Sequence, residues 1–207
     1  MVLKHLKKMF SKLFGGRKEI SLGIYGPPNT GKSTLANRIS KDFGGGEFTK
    51  VSEVPHETRM VKKKEKLVLE HNGNRINMNL LDMPGIATRV DYKDFIKFGI
   101  AKTTAKNRSK EATKGIVEAI KWLDNVDACL VVFDSTQNPY NQVNVTILGN
   151  LEAKNIPILL VANKIDSKGA KPDRIKEAFP QYPCVDISAK QGKNMDSLYE
   201  GILKELT

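Results

Sequence analysis

The stretch Gly26-Pro-Pro-Asn-Thr-Gly-Lys-Ser33 joins two glycines to a lysine and hydroxyl groups, residue types that can bind an anion. Glycine lets the backbone curl so that its N–H groups point inward, and a following helix adds a favourable dipole. The spacing is that of a phosphate-binding loop. It predicts that Lys32 reaches the β- and γ-phosphates and that the Ser33 hydroxyl binds magnesium. The predicted contacts also include Pro28, Asn29, Thr30, Gly31 and Thr34.

Two later motifs have the chemistry to complete a nucleotide site. In LLDMPG, Asp82 can hold magnesium through water, and the Gly85 N–H can face the γ-phosphate. In NKID, the Asp166 carboxylate can accept hydrogen bonds from N1–H and the 2-amino group of guanine. Adenine presents no such donor pair, so the motif predicts rejection of adenine.

Further base contacts are predicted around these residues. The aliphatic stem of Lys164 can lie on the base, next to Asn163. In SAK, residues Ser188–Lys190, the Ala189 N–H can meet guanine O6, with Ser188 and Lys190 on either side. SAK is informative only through its order and spacing relative to the other motifs.

The elements that must position these residues can be predicted from short apolar runs and helical periodicity. EISLGIY, DACLVVFD, IPILLVANK and PCVDIS are typical of buried parallel strands, and MVKKKEKLVLE and RINMNLLD flank an Asn-Gly hairpin turn. Helices are predicted for TLANRISKDF and for residues 108–123, 142–154, 173–179 and 195–206. The pattern predicts an α/β fold: a doubly wound, mostly parallel six-stranded sheet with one antiparallel hairpin, flanked by helices.

The motif set resembles the translation-factor-related small GTPases over residues 20–206. Within them it is similar to the Era-like GTP-binding proteins of the short archaeal type, on GPPNTGKSTLANRI, PHETR, DMPG, NKID and SAK. The resemblance implies binding of GTP and GDP, magnesium as cofactor and hydrolysis of GTP, with Lys32, Thr58 and Gly85 as catalytic residues. No KH domain of the kind that grips RNA in bacterial Era is expected.

The same resemblance bears on metal ligands and rate. It implies that Thr58, in HETR, ligates magnesium in the GTP state. Asn29 stands where relatives hold potassium, although asparagine also suits a turn by itself. Ile86 takes the place at which Ras-like GTPases have a glutamine that orients water, which implies slow hydrolysis.

Residues 1–14, MVLKHLKKMFSKLF, predict an amphipathic helix with a lysine face, joined by Gly15-Gly16 to a GTPase domain at 17–207. Its apolar face could lie on an anionic membrane, on a protein partner or on the domain itself. Two isolated cysteines (Cys129 and Cys184) and the lack of a signal peptide predict a cytoplasmic protein, either free or at the inner membrane face.

The formal net charge of +11 favours partners with negative potential. The basic segment after DMPG is either a solvated helix face or an effector or RNA surface. Three roles therefore remain open: a membrane-recruited GTP switch, an RNA-binding or ribosome-assembly GTPase, and an interaction module with little turnover.

Overall fold

Six strands form one sheet in the computed structural model, which describes residues 19–49, 60–87 and 90–206. The strand order is β2-β3-β1-β4-β5-β6, with β2 and β3 antiparallel and all other neighbours parallel. This sheet confirms the predicted fold class. The strands are β1 (Ile20–Tyr25), β2 (Lys62–His71), β3 (Asn74–Asp82), β4 (Ala128–Asp134), β5 (Ile158–Asn163) and β6 (Cys184–Asp186).

Helices cover both faces of the sheet; one helical prediction needs correction and one helix was not predicted. The helix predicted at 108–123 begins six residues earlier, and a short helix precedes it that the sequence did not predict. The short helix has only five residues, and residues 102–107, KTTAKN, contain a single apolar residue, so neither stretch showed a sustained helical period. The helices are α1 (Lys32–Asp42), α2 (Tyr92–Ile96), α3 (Lys102–Lys121), α4 (Gln142–Ala153), α5 (Asp173–Ala178) and α6 (Met195–Leu206), and a 3-10 turn (Trp122–Asn125) follows α3.

The core has two layers because alternate residues of each central strand point to opposite faces. In β4, Leu130 and Val132 pack with α1 and α6, whereas Val131 and Phe133 pack with α3, α4 and α5. Burial on both faces explains why these strands are continuous apolar runs.

The β2–β3 hairpin has the predicted two-residue turn. Asn72 and Gly73 both have positive φ, 50° and 78°, as a type I′ turn requires. A β-bulge interrupts β2 between Lys64 and Leu67, and within it Lys66 has φ 59°. The bulge is stabilised by the Lys66 N–H, which donates to Asn79 Oδ1 at 3.2 Å.

The predicted nucleotide motifs all follow the carboxyl ends of parallel strands, where open α/β sheets bind ligands. The phosphate loop follows β1, DMPG and NKID begin with the last residues of β3 and β5, and SAK follows β6. The predicted N-terminal helix and Thr58 lie outside the described residues. Over residues 19–49, 60–87 and 90–206, no helix has the length and apolar character to cross a membrane.

Candidate nucleotide-binding site

In the phosphate loop, residues 26–33, the backbone comes so close to neighbouring atoms at two positions that only glycine fits there. A Cβ on Gly26 would lie 2.5 Å from the Val132 carbonyl oxygen, and one on Gly31 would lie 2.4 Å from Asn163 Nδ2. Gly31 also has φ 94°. Asn29 has φ 60°, which asparagine tolerates better than most residues, and its side chain is exposed at the loop tip. These close approaches leave room only for glycine at positions 26 and 31, as a loop that wraps its backbone around an anion requires.

Lys32 is the cation of this cradle. Its side chain is buried, and Nζ donates to the Pro27 carbonyl oxygen at 2.7 Å, across the mouth of the loop. Burial lowers the pKa of Lys32 to about 8; Asp82 opposes this shift and Lys164 adds to it. A bound phosphate would supply the counter-charge that the lysine lacks, so the site favours an anion.

A cluster of oxygen ligands lies beside the lysine. Ser33 Oγ and Thr49 Oγ1 both donate to Asp82 Oδ2, each at 2.7 Å, and Asp82 is fully buried. Hydroxyl and carboxylate oxygens are the ligands that Mg²⁺ prefers. Ser33 and Asp82, predicted as the magnesium pair, are therefore brought together, and their chemistry fits the ion.

Thr49 was not predicted, and it is positioned by a second unpredicted residue, Asn37. The Asn37 side chain accepts from the N–H groups of Phe48 and Thr49 at 3.1 and 3.0 Å and donates to the Thr49 carbonyl at 2.7 Å. Asn37 is buried on the inward face of α1. An asparagine between the apolar residues Leu35, Ala36 and Ile39 of α1 is the sequence signal that could have indicated this clamp.

Gly85 closes the other side of the phosphate loop. A Cβ there would lie 3.0 Å from the Pro28 backbone, so the two segments meet at van der Waals contact. The next residue, Ile86, donates its N–H to the Gly26 carbonyl at 3.2 Å and buries its side chain in the core. Its side chain therefore faces away from the solvent that would supply an attacking water.

Asn163 joins the loops at the base end of the site. Its Nδ2 donates to the Thr30 carbonyl at 2.9 Å, and its Oδ1 accepts from the Ala189 N–H at 3.0 Å. One side chain thus connects the phosphate loop, NKID and SAK. The Ala189 N–H, predicted to meet guanine O6, is bonded to Asn163 in this structure.

Lys164 is oriented by a residue that the sequence did not single out, Asp134 at the end of β4. The two side chains form an ion pair with Nζ 2.6 Å from Oδ2, and Lys164 has φ 67°. Partial burial by itself would raise the pKa of Asp134, but hydrogen bonds from Lys164 and Thr136 outweigh it and lower the pKa. The aliphatic stem of Lys164 is thereby fixed beside the predicted base position.

Asp166 is held by SAK. A hydrogen bond from Ser188 is the main reason that the pKa of Asp166 is lowered, so its carboxylate is ionised and accepts hydrogen bonds at neutral pH. Ser188 itself is fully buried, while Lys190 is exposed. The structure thus brings the predicted guanine-binding residues together at one end of the site.

Arg38, on α1, supports SAK from behind and was not predicted. Its guanidinium donates to the carbonyls of Ala189 at 3.3 Å and Lys190 at 3.2 Å. Gly192 lies against the guanidinium, where a Cβ would meet Cζ at 3.3 Å. Because Arg38 is more than 150 residues from its partners in sequence, no local pattern could indicate this contact.

The family described as 50S ribosome-binding GTPase matches residues 21–164, well over half of the chain. The chain belongs to this GTPase family. The match extends from β1 through Asn163 and Lys164, so it includes the phosphate loop and Asp82. The protein is accordingly a GTP-binding GTPase domain related to Era and the translation factors.

Over most of its length, this chain is similar in sequence to tRNA modification GTPases and to Era GTPases. The tRNA modification GTPase MnmE of Prochlorococcus marinus (strain NATL1A) is 32% identical over 195 residues, which cover 91% of this chain and 35% of that protein. GTPase Era of Geobacter metallireducens is 31% identical over 191 residues, which cover 89% of this chain and 54% of that protein.

Solved Era structures share the fold. Aquifex aeolicus Era bound to GDP and AlF4⁻ aligns with a TM-score of 0.69 at 26% identity, covering 92% of this chain and 58% of that one. Era in complex with MgGDPNP and nucleotides 1506–1542 of 16S ribosomal RNA aligns with a TM-score of 0.67 at 28% identity, covering 92% and 57%. The GTPase described here thus spans between a third and three fifths of these relatives.

Proposed function

We propose that this protein is a GTP switch that hydrolyses GTP slowly to GDP and phosphate. The observation that carries the proposal is the Asn163 side chain, which joins the phosphate loop to NKID and SAK, because a carboxylate of Asp166 in NKID would then select guanine beside the phosphate site. Lys32, Thr58 and Gly85 act on the phosphates in this proposal.

Magnesium is the proposed cofactor. Ser33 and Asp82 would hold it, and Thr58 would join them in the GTP state. The ion would neutralise charge on the β- and γ-phosphates. In this proposal, Ser33 gives up its hydrogen bond to Asp82 when it binds the ion.

The direct experiment compares GTP with ATP. Fluorescent GDP bound to the purified protein should be displaced by GTP and not by ATP, and phosphate should be released from GTP in a magnesium-dependent way. Lys32→Ala is the matched control, because it should abolish both signals. Equal displacement by ATP would contradict the assignment of NKID.

Slow turnover follows from the burial of Ile86, which leaves that position unable to orient a water molecule. A potassium ion held in part by Asn29 could supply the missing charge. Initial rates in equal concentrations of potassium and sodium chloride, for wild type and Asn29→Ala, test this. Identical wild-type rates would leave Asn29 as a turn residue. Undetectable turnover in both salts would favour a GTP-dependent interaction module.

Recruitment to an anionic membrane through residues 1–14 is the proposed means of localisation. The seven apolar side chains that follow Met1 and the four lysines of this segment suit the surface of a bilayer. Flotation with anionic liposomes should be lost in a protein that begins at Arg17. Equal flotation of both proteins would assign the apolar face to a protein partner or to the domain itself.

A nucleic-acid-directed role is the second candidate. The structural neighbours include Era in complex with 16S ribosomal RNA, and this chain carries a formal net charge of +11. Copurification of RNA with the GTP-bound and GDP-bound protein would test it, with a ribonuclease-treated sample as control.

A further inference from the structure

The helical arm, which we define as residues 91–121, carries a line of lysines along α3. Lys102, Lys106, Lys110 and Lys114 recur every fourth residue and are all exposed. Successive members are about 6 Å apart along the axis and drift only slowly around it, so they form one ridge. As a whole, α3 contains six basic residues and two glutamates.

The ridge is not neutralised by its surroundings. In the described part of the chain, none of these four lysines forms an ion pair with a carboxylate, whereas Lys97 does, with Asp94 at 2.8 Å. Lys106 lies 5.8 Å from the centre of the Tyr92 ring, a cation–π contact that leaves its charge in place. The ridge therefore carries a net positive charge, with Glu111 as the nearest acidic residue in the helix.

An exposed aromatic residue stands at the beginning of the ridge. Phe98, in the turn that leads from α2 into α3, is 48% exposed, and Ile96, the last residue of α2, is 40% exposed. The arm has its own inward-facing aromatic residue, Phe95, which is 1% exposed and packs with Ala105 and Ala112. The packing of the arm therefore does not depend on the Phe98 ring.

The arm is held firmly, so its surface is pre-formed. Ser109 Oγ donates to the Val90 carbonyl at 3.1 Å, and the Asp91 side chain accepts from the Lys93 N–H at 2.9 Å at the start of α2. The Ser109 bond joins α3 to the residues just before α2, the Asp91 bond caps α2, and the Phe95 ring packs α2 on α3. Little ordering cost would therefore accompany binding to this surface.

We propose that the lysine ridge together with Phe98 binds single-stranded nucleic acid. A line of evenly spaced cations matches a polyanionic backbone, and a flat exposed ring can stack on an unpaired base. A duplex keeps its bases stacked inside and would offer Phe98 no partner. This inference goes beyond the proposed GTP switch and does not depend on its turnover.

The test measures the affinity of GDP-loaded full-length protein for single strands of RNA and DNA. The strands have 12 nucleotides of mixed sequence and a fluorescent label, and binding is followed by fluorescence anisotropy at several potassium chloride concentrations. Each lost phosphate contact makes the slope of log affinity against log salt shallower by about 0.7 for single strands. The double variant Lys106→Gln/Lys110→Gln should therefore lose about 1.4 from the slope. The matched control is Lys41→Gln/Lys204→Gln, which removes the same charge from α1 and α6 on the opposite face of the sheet.

Phe98→Ala should weaken binding roughly fivefold to 150-fold without changing the salt slope, and Phe98→Tyr should restore it. Equal affinity for RNA and DNA would support recognition through the phosphate backbone and base stacking. A higher affinity for RNA would support the same surface with additional contacts to the 2′-hydroxyl.

The proposal would be overturned if the control pair lowered the slope as much as the ridge pair, or if a duplex of the same length bound as tightly. It would also be overturned if neither single strand bound while anionic phosphatidylserine vesicles did so through Lys106 and Lys110. GDP affinity measured on each variant should be unchanged, which separates failure of this surface from failure of the nucleotide site.

Discussion

Asn163→Ala should destabilise the whole protein, because this one side chain connects three loops of the nucleotide site. Its amide bonds the Thr30 carbonyl at 2.9 Å and the Ala189 N–H at 3.0 Å. Asn163, Thr30 and Ala189 are 3%, 4% and 1% exposed. Water in this tightly packed place cannot readily replace the lost amide.

The magnitude follows from the two backbone groups that the substitution leaves behind. A buried polar group without a partner costs roughly 1–3 kcal/mol, so the pair costs about 2–6 kcal/mol. A domain of this size has a total free energy of unfolding of about 5–15 kcal/mol. The substitution should therefore remove a substantial fraction of the free energy of unfolding.

Urea unfolding, followed by circular dichroism without nucleotide, measures this change. The midpoint should fall while the slope with urea stays constant, since the surface exposed on unfolding is unchanged. Asn150→Ala is the matched control: its side chain bonds only the Thr146 carbonyl, at the exposed surface, and its loss should cost under about 0.5 kcal/mol. Asn163→Asp keeps the acceptor for Ala189 but places a carboxylate against the Thr30 carbonyl, so it should not rescue.

An Asn163→Ala protein that unfolds within about 0.5 kcal/mol of wild type would refute the reasoning, because the two hydrogen bonds would then carry no net stability. If stability were unchanged but GDP affinity fell, Asn163 would be a ligand contact and not the link between the loops.

Three further outcomes are expected. Because burial lowers the pKa of Lys32 to about 8 in the free protein and phosphate would raise it again, GDP binding should take up nearly a full proton at pH 9, much less at pH 7, and weaken about tenfold between these two pH values. Calorimetry at both pH values measures this, and a flat profile would contradict it. Arg38→Ala should accelerate GDP dissociation several-fold by releasing the carbonyls of Ala189 and Lys190, and stopped-flow release at the wild-type rate would argue against such support. Asp166→Asn replaces an acceptor with a donor and should shift preference from guanine to xanthine nucleotides; competition that still favours guanine would count against its role.

The features that the sequence predicted well are those built from neighbouring residues. Asn72-Gly73 makes its turn with its own backbone, and the phosphate loop needs only glycines at positions 26 and 31 between a strand and a helix. Runs of alternating apolar residues and continuous apolar runs likewise predicted the strands directly. Local sequence patterns were therefore sufficient to predict the sheet and the order of the motifs along the chain.

What escaped prediction depends on residues that meet only after folding. Arg38 reaches SAK from α1, and Asp134 reaches Lys164 from the neighbouring strand. Thr49 donates to Asp82, 33 residues away in the chain. Single polar residues of this kind carry no periodic signature, so their partners could not be read from spacing. The roles of Thr58 and residues 1–14, outside the described residues, stay predictions.

The bulge in β2 has a consequence for solubility. An outer strand normally offers a row of unpaired N–H and C=O groups on which another chain can aggregate. Here the extra residue at Lys66 breaks the regular repeat, and Lys62, Lys63 and Lys64 crowd the same strand with positive charge. At the other end of the described sheet, β6 is only three residues long. Neither border is a good template for fibril growth, so the protein should resist aggregation through its strands even at high concentration.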